Sequence, residues 1–414
     1  MEIYVFDREI NFLGMVEAIQ SLQWQRWFYK SGEFELVCNI PQDDDAALKL
    51  LSLLQKGHIV WPKGKDEAGY INYCHLGKNE AGQETVDVKG NFLTGYLGQR
   101  IVWDNLYLTG AAEAVMRTLV DKNAISPANA ARVVPLLSLG ALHNLTPVGT
   151  YKAPKDKHDN LADALEAVAT AADVGQRTLF DPRGKTLKYE VWQGLDRTVG
   201  QSVNPRAIFC KEYENVLGQN YTDSNDDLKN AAMVDGTYTY LLITYEPVIG
   251  SDGNPEMNSD GTPKVKIKKE EKEKPVSTVV GDSSGLDRYE EYLSSSASSK
   301  TDSGQKDADG NEIYDYMGES EFMGLLQGDA KKDLAQHIET KTFDGTINLY
   351  GNLKYHQGWD LGDMVTFVSK RWGLQLDTRI TGVKEIYESS GLSLDVTFGN
   401  DVPTILDKIK KAVK

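Results

Sequence analysis

The sequence predicts an α+β protein, mainly β, with two similar small β-barrel (tube-like) domains, an intervening α+β domain and a long loop-rich insertion. Residues 341–400 alternate short runs of Val, Ile, Leu, Phe and Tyr with turns that carry Gly, Asp or Ser, which is typical of antiparallel strands joined by hairpins. The last run places apolar residues at alternate positions: Leu392, Leu394, Val396 and Phe398. A related pattern occupies residues 33–90. These observations indicate two copies of one strand-rich module.

The spacing of glycine and isoleucine relates the two modules. The matching positions are Gly57, Ile71, Gly82 and Gly90 in the first and Gly362, Ile380, Gly391 and Gly399 in the second. In both modules the isoleucine and the next glycine are 11 residues apart, and the last glycine follows 8 residues later. The apolar phase of the final strand differs by one residue, which a bulge or an altered turn would absorb. Chance likeness of two hairpins is the alternative, but we favour an internal duplication.

The first module is predicted to begin with strands and one helix. Apolar alternation indicates strands at 3–6, 15–27, 33–41, 56–61, 69–76 and 85–89. Residues 42–55 switch to helical spacing, and their aspartates lie in the first turn, where the helix dipole favours them.

The middle of the chain predicts helices at 110–123 and 161–173. In the second helix, Leu161, Ala164, Leu165 and Val168 follow the i, i+3, i+4, i+7 pattern, and Asp159 and Asn160 precede it as N-caps. Further strands are predicted at 178–182, 186–192, 207–210 and 231–234, the last two able to rejoin the first module. A helix at 319–338 leads to strands at 364–367, 379–383 and 392–398.

Composition changes set the predicted domain boundaries. Turn-rich sequence, a Lys/Glu run at 264–274 and a Ser-rich run at 294–304 indicate an exposed loop or long hairpin. The expected segments are 1–98 (first barrel, completed by 203–245), 99–202 (α+β domain), 246–318 (loop-rich hairpin insertion), 319–402 (second barrel) and 403–414 (C-terminal helix).

The length and net charge of the chain limit the classes of protein to which it can belong. A chain of 414 residues is expected to form two to four domains. The net charge of −16 disfavours a protein that grips nucleic acid through its phosphates. No apolar run is long enough for a membrane span, and the acidic N-terminus is unlike a secretion signal. Three distant cysteines, Cys38, Cys74 and Cys210, fit assembly in a reducing cytoplasm.

Motifs for catalysis or metal binding do not emerge, so we predict no enzyme, no cofactor, no metal and no catalytic residue. The six histidines (His58, His75, His143, His158, His337 and His356) lack zinc-type spacing. The acidic stretches 223–227 and 307–311 do not complete a calcium loop, so Asx turns are the favoured interpretation. Nucleophile and phosphate-loop motifs are absent. Spacing alone cannot identify a pair of acids for glycan cleavage, so that possibility stays open.

Several segments resemble a siphophage tail-hub family. At the N-terminal end they are Phe34-Glu35-Leu36-Val37 with Pro41, and Gly57-His58-Ile59-Val60 after the helix. At the C-terminal end they are Trp359-Asp360-Leu361-Gly362-Asp363-Met364-Val365, Arg379-Ile380 and Val396-Thr397-Phe398-Gly399. The resemblance covers nearly the whole chain, and the Asp-Leu-Gly-Asp-x-Val segment is its most specific part. Such proteins are similar in fold to the baseplate hub of T-even phages.

The resemblance implies a homotrimer whose two barrels per chain form a pseudo-sixfold ring. This ring would dock the hexameric distal tail protein, cap the tail tube beneath the tape-measure protein and lie in the virion tail tip after assembly in the bacterial cytoplasm. DNA would pass through without specific binding. Many members continue into fibre, lysin or receptor-binding regions, whereas this chain stops about 15 residues after the closing motif, so separate polypeptides are expected to carry those functions.

Two other hypotheses remain open. One is a glycan-binding or glycan-cleaving tail protein that uses exposed Trp and Tyr with paired acids. The other is the hub of a related contractile injection system. A glycan-binding assay separates the first from a structural hub, and the assembled particle separates the second.

Overall fold

A computed structural model of the chain describes residues 1–399 except 79–81, 105, 154–157, 252, 296, 307–311, 336 and 338. The structure is 48% strand and 18% helix, which confirms the mainly β class. The chain divides into two compact units, one formed by Met1–Ser224 with the residues from Thr340 onward, the other by Asn225–Glu339. The helix predicted at 403–414 lies outside the described residues.

The N-terminal segment forms seven strands and one helix. They are β1 (Ile3–Phe6), β2 (Phe12–Val16), β3 (Ile19–Trp27), β4 (Glu33–Asn39), α1 (Asp44–Leu53), β5 (Ile59–Pro62), β6 (Gly69–Lys78) and β7 (Glu84–Phe92). Alternation determines which face is buried: β4 buries Phe34, Leu36 and Cys38 and leaves the residues between them partly exposed. The single strand predicted at 15–27 is instead two strands.

Helix α1 begins where the sequence places acidic residues. The side chain of Asp43 accepts a hydrogen bond from the backbone N–H of Ala46, 2.9 Å away, so it satisfies one of the unpaired N–H groups of the first turn. Asp44 and Asp45 then lie at the positive end of the helix dipole. The predicted helix at 42–55 is confirmed.

The middle segment packs two helices against short sheets. Its elements are a 3₁₀ helix (Leu93–Gln99), β8 (Tyr107–Ala111), α2 (Ala112–Val120), β9 (Leu137–Leu139), β10 (Val148–Lys152), α3 (Leu161–Ala172), β11 (Gly175–Asp181) and β12 (Thr186–Trp192). Asn160 caps α3 through the N–H of Ala162, and Leu161, Leu165 and Val168 lie in the core, as the helical spacing predicts. This core also contains Phe6 and Ile59 of the N-terminal segment.

The remaining elements follow in chain order. They are β13 (Ile208–Cys210), β14 (Val216–Ser224), β15 (Ala231–Pro247), β16 (Val265–Val280), β17 (Glu290–Ser294), β18 (Lys300–Lys306), β19 (Glu312–Tyr316), α4 (Glu319–Leu334), β20 (Thr340–Ile347), β21 (Met364–Ser369), β22 (Leu374–Glu388) and β23 (Gly391–Gly399). Thus β15–β19 and α4 belong to the second unit, and the others belong to the first.

Thirteen strands of the first unit form one sheet. Its order is β14-β20-β23-β22-β3-β4-β7-β6-β5-β1-β2, with β21 paired to β22 and β13 paired to β21. This path is open, and over the described residues no set of strands closes into a barrel. The two predicted barrels are therefore not confirmed as separate closed domains, because β3 hydrogen-bonds to both β4 and β22 and joins the two strand sets.

Within this sheet, five strands occur twice in the same antiparallel order. The first set is β3-β4-β7-β6-β5, and the second is β14-β20-β23-β22-β21. The registers also agree, since Phe34 pairs with Gly90 and Phe343 pairs with Phe398. The structure therefore supports the duplication that the glycine spacing predicts, and we call the two strand sets module 1 and module 2.

Both modules contain the same two irregularities. The β6–β7 ladder slips by one residue after Ile71, and the β22–β23 ladder slips after Ile380. The β3–β4 ladder slips after Ile19, and the β14–β20 ladder slips after Val216. Bulges at matching positions are stronger evidence for duplication than strand order alone, because each one fixes the register on both sides.

The phase difference noted in the sequence comes from the hairpin turn. Lys78 pairs with Glu84, whereas Glu388 pairs with Gly391, so the second connection is shorter. The shorter turn brings Phe398, instead of Gly399, opposite Ile380. The apolar faces of the two final strands then match without any further irregularity.

Residues 203–245 do not complete module 1 as predicted. Strand β14 pairs with β20 in module 2, and β13 pairs with β21. Strand β15 belongs to the second unit, where it pairs with β16 and β17. The reason is that its inward residues Ala232, Val234 and Tyr238 pack with Phe322 and Leu326 of α4.

The second unit is richer in strands than the predicted loop-rich insertion. Its main feature is a long antiparallel hairpin in which β15 and β16 pair from Ala232–Val280 to Pro247–Val265. Residues 265–274 of the Lys/Glu run lie in β16 and are largely exposed, as a charge run is expected to be. Helix α4 confirms the helical pattern predicted at 319–338 over residues 319–334, and β18 and β19 pair antiparallel in a separate sheet.

Candidate assembly interface

The Asp-Leu-Gly-Asp segment predicted to be the most specific motif joins module 2 to the segment after β12. The buried carboxylate of Asp363 accepts hydrogen bonds from the N–H of Leu195 (2.7 Å), from Nε of Arg197 (2.8 Å) and from the N–H of Asp360 (3.0 Å). The backbone of Met364 also pairs with that of Leu195 and Arg197. Asp363 therefore fixes the entry to β21.

Gly362 occupies a position that requires glycine for two reasons. Its φ of +84° lies in the left-handed region, and a Cβ there would lie 2.6 Å from Phe28 and 2.7 Å from Trp192. Gly57 has a φ of +90° at the matching place in module 1. The N–H of Gly57 donates to the carbonyl of Ile71 (2.7 Å), and that of Gly362 donates to the carbonyl of Ile380 (2.8 Å). These glycines start equivalent strands, as the sequence predicts.

A buried cluster of charged groups connects the two modules. Arg26 of β3 bonds through Nε to Glu67 (3.1 Å) and through Nη1 to Asp360 (3.0 Å) and the hydroxyl of Tyr355 (2.9 Å). The Tyr355 hydroxyl donates in turn to the fully buried Glu385 of β22 (3.1 Å). The cluster thus lies where β3 pairs with β22.

Two further groups bond to the carboxylate of Glu385. Lys65 contacts its Oε2 at 2.5 Å, and the Tyr387 hydroxyl donates to the same oxygen at 2.5 Å. Since leaving a buried charge without its partner costs about 3–5 kcal/mol, these donors stabilise Glu385 inside the sheet.

The pKa values in the cluster indicate a structural role. Burial raises the pKa of Glu67, and the charge of Arg26 offsets this only in part. Burial also acts to raise the pKa of Asp360, but the hydrogen bond from His356 and the charge of Arg26 outweigh it and lower that pKa to about 2. Asp360 therefore stays ionised at neutral pH and is unsuited to act as a general acid.

A third connection ties the middle segment to module 2. Asp173 ends α3 in the left-handed conformation, with φ of 53°, and accepts from Nε of Arg379 at 2.6 Å. Arg379 also donates through Nη1 to the carbonyl of Gly362 (2.5 Å). Tyr29 donates to Asp173 at 2.7 Å. The motif glycine, α3 and β22 are thereby fixed to one another.

Two clefts in the first unit are places for a small ligand. One, of about 550 Å³, is lined by residues that include Tyr70, Tyr96 and Leu136, with Glu9 as the acid among its described lining residues. The other, of about 390 Å³, includes Asp163 and Glu166 on successive turns of α3. The second cleft is therefore the place where a glycan-cleaving pair of acids would have to be tested.

Three of the six histidines have hydrogen-bond partners that explain them structurally. His58 and His158 bond through Nδ1 to the backbone carbonyls of Leu53 and Val102, and His356 bonds to Asp360.

His337 lies in the second unit in a cluster that the sequence analysis missed. Its ring and the carboxyl groups of Glu291 and Asp333 each offer one ligand atom, and these atoms lie within 4.8 Å of one another. The i, i+4 spacing of Asp333 and His337 was the available signal, but Glu291 is distant in sequence. All three are partly exposed, and exposed acidic groups are common without an ion. Of the acidic stretches, 223–227 begins in β14 and 307–311 lies outside the described residues.

Two strand edges that have no second neighbour among the described strands form a candidate interface. Over the described residues, β14 pairs with β20 alone, and residues 73–78 of β6 pair with β7 alone. These edges expose apolar side chains: Leu217 on β14 (64% exposed) and Tyr73 and Leu76 on β6 (47% and 56%). A strand edge next to exposed apolar side chains is a template for pairing with another chain. Across the described residues, no helix combines the length and apolar character needed to cross a membrane.

The sequence and the fold are similar to those of known phage proteins. The family of Siphovirus ReqiPepy6 Gp37-like proteins matches residues 2–400. No curated protein matches the sequence.

Two solved structures resemble this one along nearly their whole length. The tail protein from Neisseria meningitidis MC58 is 14% identical, with a TM-score of 0.53, and the match covers 97% of this chain and 96% of that chain. The 43 kDa tail protein of prophage MuSo2 from Shewanella oneidensis is 12% identical, with a TM-score of 0.52 and coverage of 96% and 98%. At these identities the likeness establishes a common fold.

Proposed function

We propose that this chain, which belongs to the Siphovirus ReqiPepy6 Gp37-like protein family, is a trimeric hub of the phage tail tip or baseplate. Its family and fold are those of phage tail proteins, which places it in the virion tail. The hub continues or closes the tail tube, adapts it to the distal tail protein and the host-recognition parts, and takes part in DNA ejection. Assembly takes place in the host cytoplasm.

The observation that carries this proposal is the duplicated five-strand module. A chain with two equivalent modules can present six similar surfaces as a trimer, and six is the number needed to match a sixfold partner. The shared bulges support equivalence at the level of single residues, because each module then offers the same backbone geometry. A single-module protein would instead have to be a hexamer to make the same match.

The charge balance is compatible with a conduit for DNA. A trimer would carry three times the chain's net charge of −16, and an acidic surface repels the DNA backbone. The tape-measure protein and the distal tail protein are the neighbours that a tube-capping ring would contact. Receptor-binding or fibre proteins would attach at its outer side, and the largely exposed hairpin of β15 and β16 is a surface for such a component.

We also propose that the chain acts without catalysis. The best-formed cluster of titratable groups, around Arg26 and Glu385, is saturated by partners inside the fold. The test is incubation with cell-wall glycan and with peptidoglycan. Release of reducing ends that the double variant Asp163→Asn/Glu166→Gln abolishes would contradict this proposal and favour the glycan-cleaving alternative.

The hub proposal is tested by measuring the assembly state. Light scattering of the purified full chain is expected to give a trimer mass, alone or with distal tail protein, and electron micrographs are expected to give rings with six similar densities. A monomer mass under both conditions would overturn the proposal. Electrophoretic mobility of duplex DNA at physiological salt is expected to stay unchanged, because phosphate-driven binding needs a basic surface.

A further inference from the structure

The two modules have equivalent strands but different neighbours. In module 2, the edge of β22 carries β21 along residues 374–379 and β3 along residues 382–387. In module 1, the same edge of β6 carries β5 at Gly69 and Tyr70 and no described strand at residues 73–78. The intramolecular contact between β3 and β22 is therefore made once per chain, although the chain contains both of its participating surfaces twice.

The matching bulges define which residues are equivalent. Ile19 and Cys38 pair next to the β3 bulge as Val216 and Ile347 pair next to the β14 bulge, so β3 and β14 are related by an offset of 197 residues. Ile71 and Ile380 precede the other bulge, so residues 73–78 correspond to 382–387. The surface of β6 that lacks a neighbour is thus the counterpart of the surface on β22 that binds β3.

In this sheet, β14 of the same chain is too far away to be the missing neighbour of β6. Seven strand-to-strand steps separate β14 from β6 along the sheet, and each step is about 4.8 Å. The exposed fractions of equivalent side chains on β22 and β6 also indicate that β6 lacks a neighbouring strand. Val383 and Glu385 are fully buried beside β3, whereas their counterparts Cys74 and Leu76 are exposed.

We propose that β14 of one copy adds antiparallel to residues 73–78 of β6 in a second copy of this chain. The β3–β22 ladder fixes the register, with intermolecular pairs Tyr73–Ser224, Cys74–Asp223, His75–Thr222, Leu76–Tyr221, Gly77–Asn220 and Lys78–Gln219. This inference rests on the proposed hub and identifies the surface that assembles it. Each copy donates one strand and accepts one, so the contact is heterologous and is satisfied throughout only in a closed ring.

A disulfide tests this register directly. In the variant Asp223→Cys, the new thiol would lie opposite the native Cys74 of the next copy. Directly paired strand residues have Cα atoms about 4.5–5.5 Å apart, which lies within the range of about 4.4–6.8 Å that a disulfide spans. The matched control is Thr222→Cys, whose side chain points to the other face. A second control, Asp223→Cys/Cys74→Ser, removes the partner thiol. The buried Cys38, whose pKa is raised by burial to about 12, and the buried Cys210 are expected to stay unreactive.

The reactivity of the Cys74 thiol sets the conditions for the cross-linking experiment. Burial and the nearby carboxylate of Asp87 raise the pKa of this thiol, so the oxidation is carried out at mildly alkaline pH with a small oxidant. The expected result is a shift of most of the Asp223→Cys chain to a covalent trimer on a non-reducing gel, while both controls stay at monomer mass.

The outcomes separate this inference from the hub itself. If light scattering gives a trimer but Asp223→Cys cross-links no more than Thr222→Cys, the strand pairing is wrong and the hub proposal stands. A monomer without cross-links contradicts both. A ladder of ever larger species supports the pairing and contradicts the closed ring. Should Asp223→Cys fail to fold, hydrogen exchange of the unmodified chain decides, because the amides of residues 73–78 that face outward become protected only if the strand is added.

Discussion

Removing the charge of Arg26 is expected to destabilise the junction of the two modules strongly. In Arg26→Met, Glu67 loses the ion pair at 3.1 Å and remains almost fully buried, since only 8% of its surface is exposed. Breaking a buried pair by removing one partner costs about 3–5 kcal/mol. With a urea m value of about 3 kcal/mol/M, the unfolding midpoint of the first unit would fall by about 1–2 M.

Tryptophan fluorescence is a selective assay for this change. All seven tryptophans lie in the first unit, so the second unit does not contribute to the signal. Lys63→Met is the matched control, because Lys63 and Glu2 form an exposed pair at 2.6 Å whose loss should not move the midpoint measurably.

The pH dependence of the stability lost in Arg26→Met tests whether the buried charge of Glu67 is the cause. The pKa of Glu67 is already raised above 4.5, and without Arg26 it rises further. A carboxyl whose pKa is raised in the folded state contributes stability below its unfolded pKa and loses that contribution as pH rises through the folded pKa. The defect should therefore be small near pH 4.5 and grow toward neutrality. Adding Glu67→Gln should recover much of the lost stability at pH 7. An equal defect at all pH values, with no recovery, would refute the buried-charge explanation.

Other expected outcomes concern the motif and the second unit. Gly362→Ala should lower the midpoint more than Gly373→Ala, because both have positive φ but only Gly362 would also bring a Cβ against aromatic rings. Asp360→Asn should lower the free energy of unfolding by about 1 kcal/mol at pH 7, after allowance for the partial exposure of Asp360. The wild type should hold this advantage above pH 3.8 and lose it as the pH falls through about 2, which tryptophan fluorescence would follow. Replacing residues 225–339 by a five-residue turn should leave the tryptophan spectrum and midpoint of the first unit unchanged.

The duplication could be predicted from sequence because its signals are local. Gly57 and Gly362 are fixed by positive φ, and the isoleucines that follow them accept their hydrogen bonds. Such positions tolerate few other residues, so they remain visible in a single sequence. The helices α1 and α3 were predictable for the same reason, since Asp43 and Asn160 cap them within three residues along the chain.

The equivalence of β3 and β14 could not be predicted in this way. Module 1 joins β3 to β4 through residues 28–32, whereas the whole second unit separates β14 from β20. Their shared bulge is a property of the ladder with the partner strand and leaves no mark in either strand's own sequence. The Arg26 cluster was also hidden, because its members come from β3, the segment before β6, the segment before β21 and β22.

The place where the second unit is inserted explains why both modules could keep one geometry. Ser224 and Thr340 are directly paired at the end of the β14–β20 ladder, so the chain leaves the first unit and returns to it at adjacent positions of one hairpin. A hairpin end is the part of a sheet that tolerates added chain, since no ladder hydrogen bond has to be broken. The insertion therefore leaves the register of β14 unchanged. Among the described strands, β14 has β20 as its one neighbour, and its opposite edge is the counterpart of the edge through which β3 binds β22.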